Sequence, residues 1–284
     1  MRPSGWPPLT ADRVRRALAR AAEALGPVSN SPRLDAELLM AHALGMTREA
    51  MLLSHLDAPA PAGFAALIER RLAHEPVAYI TGRRAFWTIE LAVGPGVLIP
   101  RPDSETLIEA AIEHFGERSP RRILDLGSGP GTLLLAALAE WPEATGLGID
   151  ASAQALDYAR ANAEALGLAE RVIFREGDWA ARVDERFDLI LANPPYIATD
   201  EALPADVRDY EPARALFAGT DGLDAHRRIV PDLPRLLVPG GVAILEIGHT
   251  QADAVGALIT AAGLRHSVRR DLGNRPRAII VNMG

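Results

Sequence analysis

The sequence predicts an α/β protein, with a mostly parallel sheet covered by helices on both faces, an antiparallel edge, and a small helical bundle in front. Three observations carry this. The first 84 residues show helical periodicity throughout. From residue 101 onward strand and helix patterns alternate, which is the signature of parallel crossovers. The last two strand patterns follow one another through a short Gly273-Asn274 turn, which makes them an antiparallel pair.

In the helical part, Val14, Ala17, Leu18, Ala21, Ala22 and Leu25 recur at helical spacing over 11–25, and Gly26-Pro27 ends that run. Ser31-Pro32 opens a second helix with Leu34, Leu38, Leu39 and Ala41 on one face, closed by Gly45. Shorter helices fit 47–55 and 61–73. His42, His55 and His74 are not at metal-ligand spacing, and no metal is expected. Residues 85–100 read as a β-hairpin linker, with WTIELAV and VLI flanking a Gly-Pro-Gly turn. The third region, 101–284, then carries strands over 122–126, 146–150, 172–176, 187–192, 241–247, 265–270 and 278–282. Helices are expected over 103–115, 131–140, 152–166, 222–237 and 250–262.

Composition bounds the function. The chain has 284 residues, 48% hydrophobic and 24% charged, ordinary for a folded protein with a real core. It has no cysteine, so disulfides, thiolate zinc sites and cysteine nucleophiles are excluded, and a reducing compartment is expected. Every basic side chain is arginine, which excludes a phosphate-loop or Schiff-base lysine. The longest stretch free of charge, 126–139, is 14 residues, short of the ~20 that span a bilayer. The opening MRPSGWPPLT has no apolar signal core. A cytoplasmic protein without membrane contact is therefore expected. Residues 1–84 hold 11 arginines against 8 acids (net +3), and the remainder holds 19 against 29 (net −10). That balance gives no surface suited to a phosphate backbone, so no nucleic acid partner is expected.

Two motifs carry chemistry. The first is the glycine turn Gly127-Ser128-Gly129-Pro130-Gly131, which follows the buried strand ILDL and opens a helix. Glycines allow close backbone approach and the helix start offers free N–H groups. Nineteen residues beyond Gly131, Asp150 ends the next strand, where a carboxylate can accept ribose hydroxyls. A second reading makes Asp150 the N-cap of the following helix. The spacing is G-x-G-x-G and Pro130 removes one N–H, which suits a nucleoside ligand without a pyrophosphate, such as S-adenosylmethionine. Asp178 and Trp179 end the third strand where an adenine ring would pass; Trp179 either stacks on it or fills core.

The second motif, Asn193-Pro194-Pro195-Tyr196, follows the strand FDLILA. An amide or aromatic amine nitrogen is a poor nucleophile because its lone pair is delocalised. A side-chain oxygen of Asn193 and the carbonyl of Pro194 can accept both its N–H groups, aiming the lone pair and favouring a pyramidal transition state. Tyr196 offers a flat surface to the planar substrate group. The combination points to N-methyl transfer onto an amino or amide nitrogen. The competing acceptor is N6 of adenine in DNA or RNA. A non-catalytic adaptor and a dehydrogenase fit less well, since Asn193 and Asp150 are both present and the glycine spacing is wrong for a dinucleotide.

These residues resemble the protein-(glutamine-N5) methyltransferases of class I peptide chain release factors, the PrmC/HemK family. The resemblance covers most of the chain. It extends to Glu75-Pro-Val-Ala-Tyr-Ile-Thr-Gly82, Leu98-Ile-Pro-Arg-Pro-Asp-Ser-Glu105, Glu211-Pro-Ala-Arg-Ala-Leu216 and Gly219-Thr-Asp-Gly-Leu223. It implies a Rossmann-like class I methyltransferase sheet, a helical domain that helps hold the substrate, and a monomer. It implies cofactor contacts at Gly127, Ser128, Gly129, Pro130, Gly131, Asp150, Asp178, Trp179 and Asn193. Asn193, Pro194, Pro195 and Tyr196 would grip the glutamine of a Gly-Gly-Gln loop, with Leu98 and Arg101 on the substrate side. Pro130 and Leu98 depart from the commoner Thr and Phe. Arg101 and Glu105 are also open to an ordinary helix-start salt pair.

Overall fold

The structure is a computed structural model and describes residues 12–283. The chain folds into two compact units. The first runs through Gly82 and also takes in Leu203–Tyr210; the second holds Arg83–Ala202 and Glu211–Gly284.

The first unit contains α1 (Val14–Leu25), α2 (Pro32–Leu44), α3 (Arg48–Ser54), α4 (Phe64–Leu72) and α5 (Val77–Thr81). The predicted start of the first helix at residue 11 lies outside the described residues. Val14, Ala17, Leu18, Ala21 and Leu25 are the buried stripe of α1 and join Leu39, Met40, Phe64 and Ile68 in one core. Burying a side chain of this size contributes about 1.5–3 kcal/mol. The Thr47 hydroxyl caps α3 by accepting the Ala50 N–H. α5, only five residues long, carried no helical signal of its own in the sequence. Arg71 is buried and donates to Asp35 at 2.8 Å and to the Val28 carbonyl at 3.1 Å, so its charge is paired. Leu203–Tyr210, read from sequence as part of the third region, packs here: Tyr210 donates to the Ala73 carbonyl at 2.8 Å and Asp206 lies 3.6 Å from Arg71.

The second unit opens with the hairpin β1 (Arg83–Phe86) and β2 (Ile89–Ala92), paired antiparallel. The hairpin differs from expectation. It turns at Trp87-Thr88, with Trp87 at φ 54°, and not at Gly94-Pro95-Gly96. That glycine loop instead lies against the helix over 153–165, where Gln154 donates to the Pro95 carbonyl and Tyr158 occupies the space a Gly94 Cβ would need.

The remaining elements are α6 (Glu105–Phe115), β3 (Arg122–Leu126), α7 (Thr132–Glu140), β4 (Thr145–Asp150), α8 (Ala153–Ala165), β5 (Val172–Glu176), β6 (Phe187–Ala192), α9 (Ala205–Arg208, in the first unit), α10 (Asp224–Ile229), α11 (Leu233–Leu236), β7 (Leu237–Glu246), α12 (Ala252–Ala261), β8 (Leu264–Arg270) and β9 (Pro276–Met283). The helix expected over 222–237 is broken into α10 and α11 around a 3-10 turn at Val230–Asp232, because Pro231 and Pro234 cannot donate to the helical ladder. Leu237 already belongs to β7.

The seven strands run in the order β5-β4-β3-β6-β7-β9-β8. The first five pair in parallel, and β9 pairs antiparallel with both β7 and β8. Ile123, Leu124 and Leu126 of β3 and Leu189, Ile190 and Leu191 of β6 are fully buried, as central parallel strands covered on both faces must be. The chain leaves β3 toward β4 and β5, then returns to β6 on the other side. That reversal opens a crevice beyond the C-terminal ends of β3, β4 and β6, where α/β sheets bind ligands.

Candidate active site

Both sequence motifs arrive at this crevice because each directly follows a strand that ends there. Residues 127–131 leave β3, Asp150 is the last residue of β4, and Asn193 follows β6. Residues 127–130, Asp150 and Asn193 border a cavity of ≈ 260 Å³.

The glycine turn is held by backbone bonds. The Gly127 and Ser128 N–H groups donate to the Ile149 carbonyl at 2.8 and 3.0 Å, and Gly131 N–H donates to Ser128 carbonyl at 2.9 Å. Gly127, Gly129 and Gly131 all sit at positive φ (79°, 54° and 87°), which side chains rarely adopt. A Cβ at Gly127 would also stand 3.2 Å from the Trp179 indole. Asp150 braces the turn: Oδ2 accepts Gly129 N–H at 2.8 Å and Oδ1 accepts Ser152 N–H at 2.8 Å. The N-cap of α8 is Ser152, whose hydroxyl accepts Ala155 N–H, so Asp150 is not the cap. Pro130 gives no N–H, but its carbonyl accepts from Asn162 at 2.9 Å, and Asn162 also pairs with both backbone groups of Ala92.

Of the residues singled out from sequence, Gly127, Ser128, Gly129, Pro130, Asp150, Asp178, Trp179, Asn193, Pro195, Leu98 and Arg101 border the cavity. Gly131, Pro194 and Tyr196 are not part of its wall. Trp179 borders the cavity and packs on the sheet core. Asp178 is paired with Arg228. Arg101 does not pair with Glu105. It donates to Glu211 at 2.5 Å, and Glu211 also accepts the Ile99 N–H at 3.0 Å, while Glu105 accepts the Trp87 N–H. The pairing joins the Pro-Arg-Pro-Asp-Ser-Glu and Glu-Pro-Ala-Arg stretches.

Asn193 Nδ2 donates to Ser104 Oγ at 3.1 Å. Its Oδ1 accepts no hydrogen bond among the described residues, so the acceptor end of the amide is available at the cavity. The Tyr196 hydroxyl donates to Glu246 Oε1 at 3.2 Å. Burial, with the Glu246 charge second, raises its pKa. The backbone carbonyl of Tyr196 accepts from Gln251 at 2.9 Å, which clamps the Asn-Pro-Pro-Tyr turn to the residues after β7.

Sequence reading missed four residues here: Ser104, Asp125, Glu246 and Gln251. Asp125 stands inside the apolar strand ILDL, borders the cavity, and is 1% exposed with neither carboxyl oxygen hydrogen-bonded. Burial pushes its pKa up to about 7. An acid within an otherwise apolar buried strand was the available signal. Glu246 ends β7 in the same circumstance, with Oε2 unpartnered and its pKa pushed up to about 7 by burial.

Comparison with known proteins agrees with this architecture. A PrmC N-terminal domain model matches residues 16–82 and a methyltransferase small domain model matches 103–208. The release factor glutamine methyltransferase of Rhodospirillum rubrum is 45% identical over 255 residues, covering 88% of this chain and 78% of the relative. That of Cereibacter sphaeroides is 46% identical over 277 residues, covering 95% and 96%. Among solved structures, the catalytic domain of hMettl16 in complex with the MAT2A 3'UTR hairpin 6 superposes with a TM-score of 0.55. It has 17% identity, and the match covers 68% of this chain and 75% of that one. A methyltransferase from Pyrococcus furiosus gives a TM-score of 0.54 at 16% identity, covering 76% and 97%. At such identities these two neighbours speak for the fold alone.

Proposed function

The chain belongs to the release factor glutamine methyltransferase family, and we propose that it methylates the side-chain nitrogen of the glutamine in the Gly-Gly-Gln loop of class I release factors, using S-adenosylmethionine. The observation that carries the reading is the Asn193 amide, tied at Nδ2 and open at Oδ1 beside the cavity. An acceptor at that point takes an N–H group, as an amide substrate requires.

The residues present fit the cofactor. It supplies a methyl group on a positively charged sulfonium and carries an ammonium and a ribose. Asp125 is an unpartnered buried carboxyl at the cavity, the environment a cationic group would stabilise. Asp150 has both oxygens oriented by backbone N–H groups, with lone pairs left for ribose hydroxyls. Trp179 borders the same cavity with a face for adenine.

On the substrate side, Asn193 Oδ1 and the Pro194 carbonyl accept the two N–H groups of the glutamine amide. Holding both hydrogens aims the nitrogen lone pair and stabilises the positive charge that grows there as the new bond forms. The methylated amide is strongly acidic before it loses its proton, so water suffices as the base. No helix of the described residues is long and apolar enough to cross a membrane. The reading places the enzyme in the cytoplasm, where its release factor substrates work in translation termination, acting as a monomer without binding nucleic acid.

The test is a methyl-transfer assay with purified protein, S-adenosylmethionine and a release factor, read by peptide mass spectrometry. One methyl on the loop glutamine, absent with Asn193→Ala, is expected. Transfer to adenine in DNA or RNA and none to the release factor would overturn the substrate.

A further inference from the structure

Proline has no N–H, so the two prolines of the Asn-Pro-Pro-Tyr turn cannot bond it to the sheet through their own nitrogens. With φ fixed at both, the segment also has few places to bend. Its position therefore depends on donors that other elements bring to its carbonyls.

One side chain brings such donors. Gln251 Nε2 donates to the Tyr196 carbonyl at 2.9 Å and to the Gly222 carbonyl at 3.2 Å. Its Oε1 accepts the Gly248 N–H at 2.9 Å, and its own backbone N–H donates to the Gly248 carbonyl at 2.9 Å. Every one of these partners is a backbone group of fixed polarity, a carbonyl accepting or an N–H donating, so the amide fits in one orientation. Gln251 stands immediately before α12, and the Val255 N–H donates to its carbonyl at 2.9 Å, which anchors it to that helix. A single amide thus joins the turn after β6, the Gly219–Leu223 stretch and the turn after β7.

The Gly219–Leu223 stretch closes on the same carbonyl. Gly222 is buried at φ 72°, and a Cβ there would collide with the Tyr196 carbonyl and stand 2.8 Å from Gln251 Nε2. Just past the turn, the Ile197 N–H donates to the Leu216 carbonyl at 3.0 Å and the Ala218 N–H to the Ile197 carbonyl at 2.9 Å. Neither Gln251 nor Gly222 borders the cavity, so neither is placed to touch a cofactor or an acceptor amide.

We propose that Gln251 is a positioning residue for methyl transfer. With Gly222 it sets the Tyr196 carbonyl, and through the stiff Pro194-Pro195 pair it sets where Asn193 Oδ1 and the Pro194 carbonyl stand. The inference rests on the methyl-transfer reading above, in which those two acceptors hold the glutamine amide. A displacement of about 1 Å at such acceptors is enough to spoil the approach of the nitrogen to the methyl group.

The test uses the full chain with Gln251→Glu, Gln251→Met and Gly222→Ala, S-adenosylmethionine and a release factor. Gln251→Glu keeps an acceptor for the Gly248 N–H and removes both donors, whereas Gln251→Met keeps the length and removes all three side-chain bonds. Each is expected to lower kcat by about ten- to a hundredfold, the scale of a misplaced group. KM for the release factor and S-adenosylmethionine affinity by calorimetry stay within about threefold of wild type. Gly222→Ala follows the same pattern, and combining it with Gln251→Met costs less than the product of the two, because both act through one carbonyl. Independently of activity, a crystal structure of Gln251→Met is expected to show the Asn193–Tyr196 turn displaced against β6. A lowered melting temperature with wild-type kcat, equal loss of kcat and cofactor affinity, or an unmoved turn would each overturn the proposal. An inactive wild type would instead overturn the substrate reading, while the crystal structure still decides whether Gln251 holds the turn.

Discussion

Asp150 Oδ2 accepts the Gly129 N–H at 2.8 Å, so the carboxylate at the end of β4 and the glycine turn after β3 form one rigid unit. Two strands that are neighbours in the sheet thus deliver the Asp150 carboxylate and the glycine turn to the cavity already locked together. Such preorganisation reduces the ordering cost of binding.

Asp150→Ala removes the proposed ribose acceptor and this brace together. S-adenosylmethionine affinity is expected to fall by at least about tenfold, from hydrogen bonds to a charged group worth about 1.5–3 kcal/mol. Calorimetry checks this, and an unchanged dissociation constant would remove Asp150 from the cofactor site.

Asn193→Ala acts on the nucleophile. Methyl transfer is expected to vanish while cofactor affinity stays within about threefold, since the lost bonds form to the substrate amide. Equal loss of both, measured by single-turnover kinetics beside calorimetry, would make Asn193 chiefly a cofactor ligand.

Asp125 predicts a dependence on pH. Its carboxyl is raised by burial from 3.8 to about 7, so the folded chain holds that proton more tightly than the unfolded chain. Its contribution to stability is fully present below about pH 4 and is lost as pH rises through about 7. Without ligand, Asp125→Asn should gain melting temperature relative to wild type as pH rises from about 4 to about 7, and no further above that. Cofactor affinity has the opposite sign. A cationic ligand favours the ionised carboxylate, so wild-type affinity should rise over the same range, by at most about tenfold per pH unit. Titration calorimetry at several pH values should find this slope flattened in Asp125→Asn.

Glu211→Ala strips the Ile99 N–H and Arg101 of their shared acceptor. The Glu211 side chain is 1% exposed and Arg101 is 35% exposed, so water can recover part of the loss at the arginine only. A destabilisation of about 2–3 kcal/mol is expected, seen as a lower urea midpoint with an unchanged slope.

The elements and the place of the motifs were legible in neighbouring residues. The stripe Val14, Ala17, Leu18, Ala21 and Leu25, the apolar strands at 122–126 and 187–192, and the GSGPG and Asn-Pro-Pro-Tyr turns are all local patterns. Periodicity and turn chemistry act over a few positions, so one chain suffices to read them. The break in the 222–237 helix was legible too, since Pro231 and Pro234 stand within it. Which polar groups meet became visible only on folding. Ser104 and Asn193 are 89 positions apart, Tyr196 and Glu246 are 50 apart, and Ile99 and Glu211 are 112 apart. The packing of Leu203–Tyr210 with the helical unit is of the same kind. A lone serine, glutamate or glutamine carries no local pattern, because its role comes from a buried partner that only the folded sheet brings within hydrogen-bond reach.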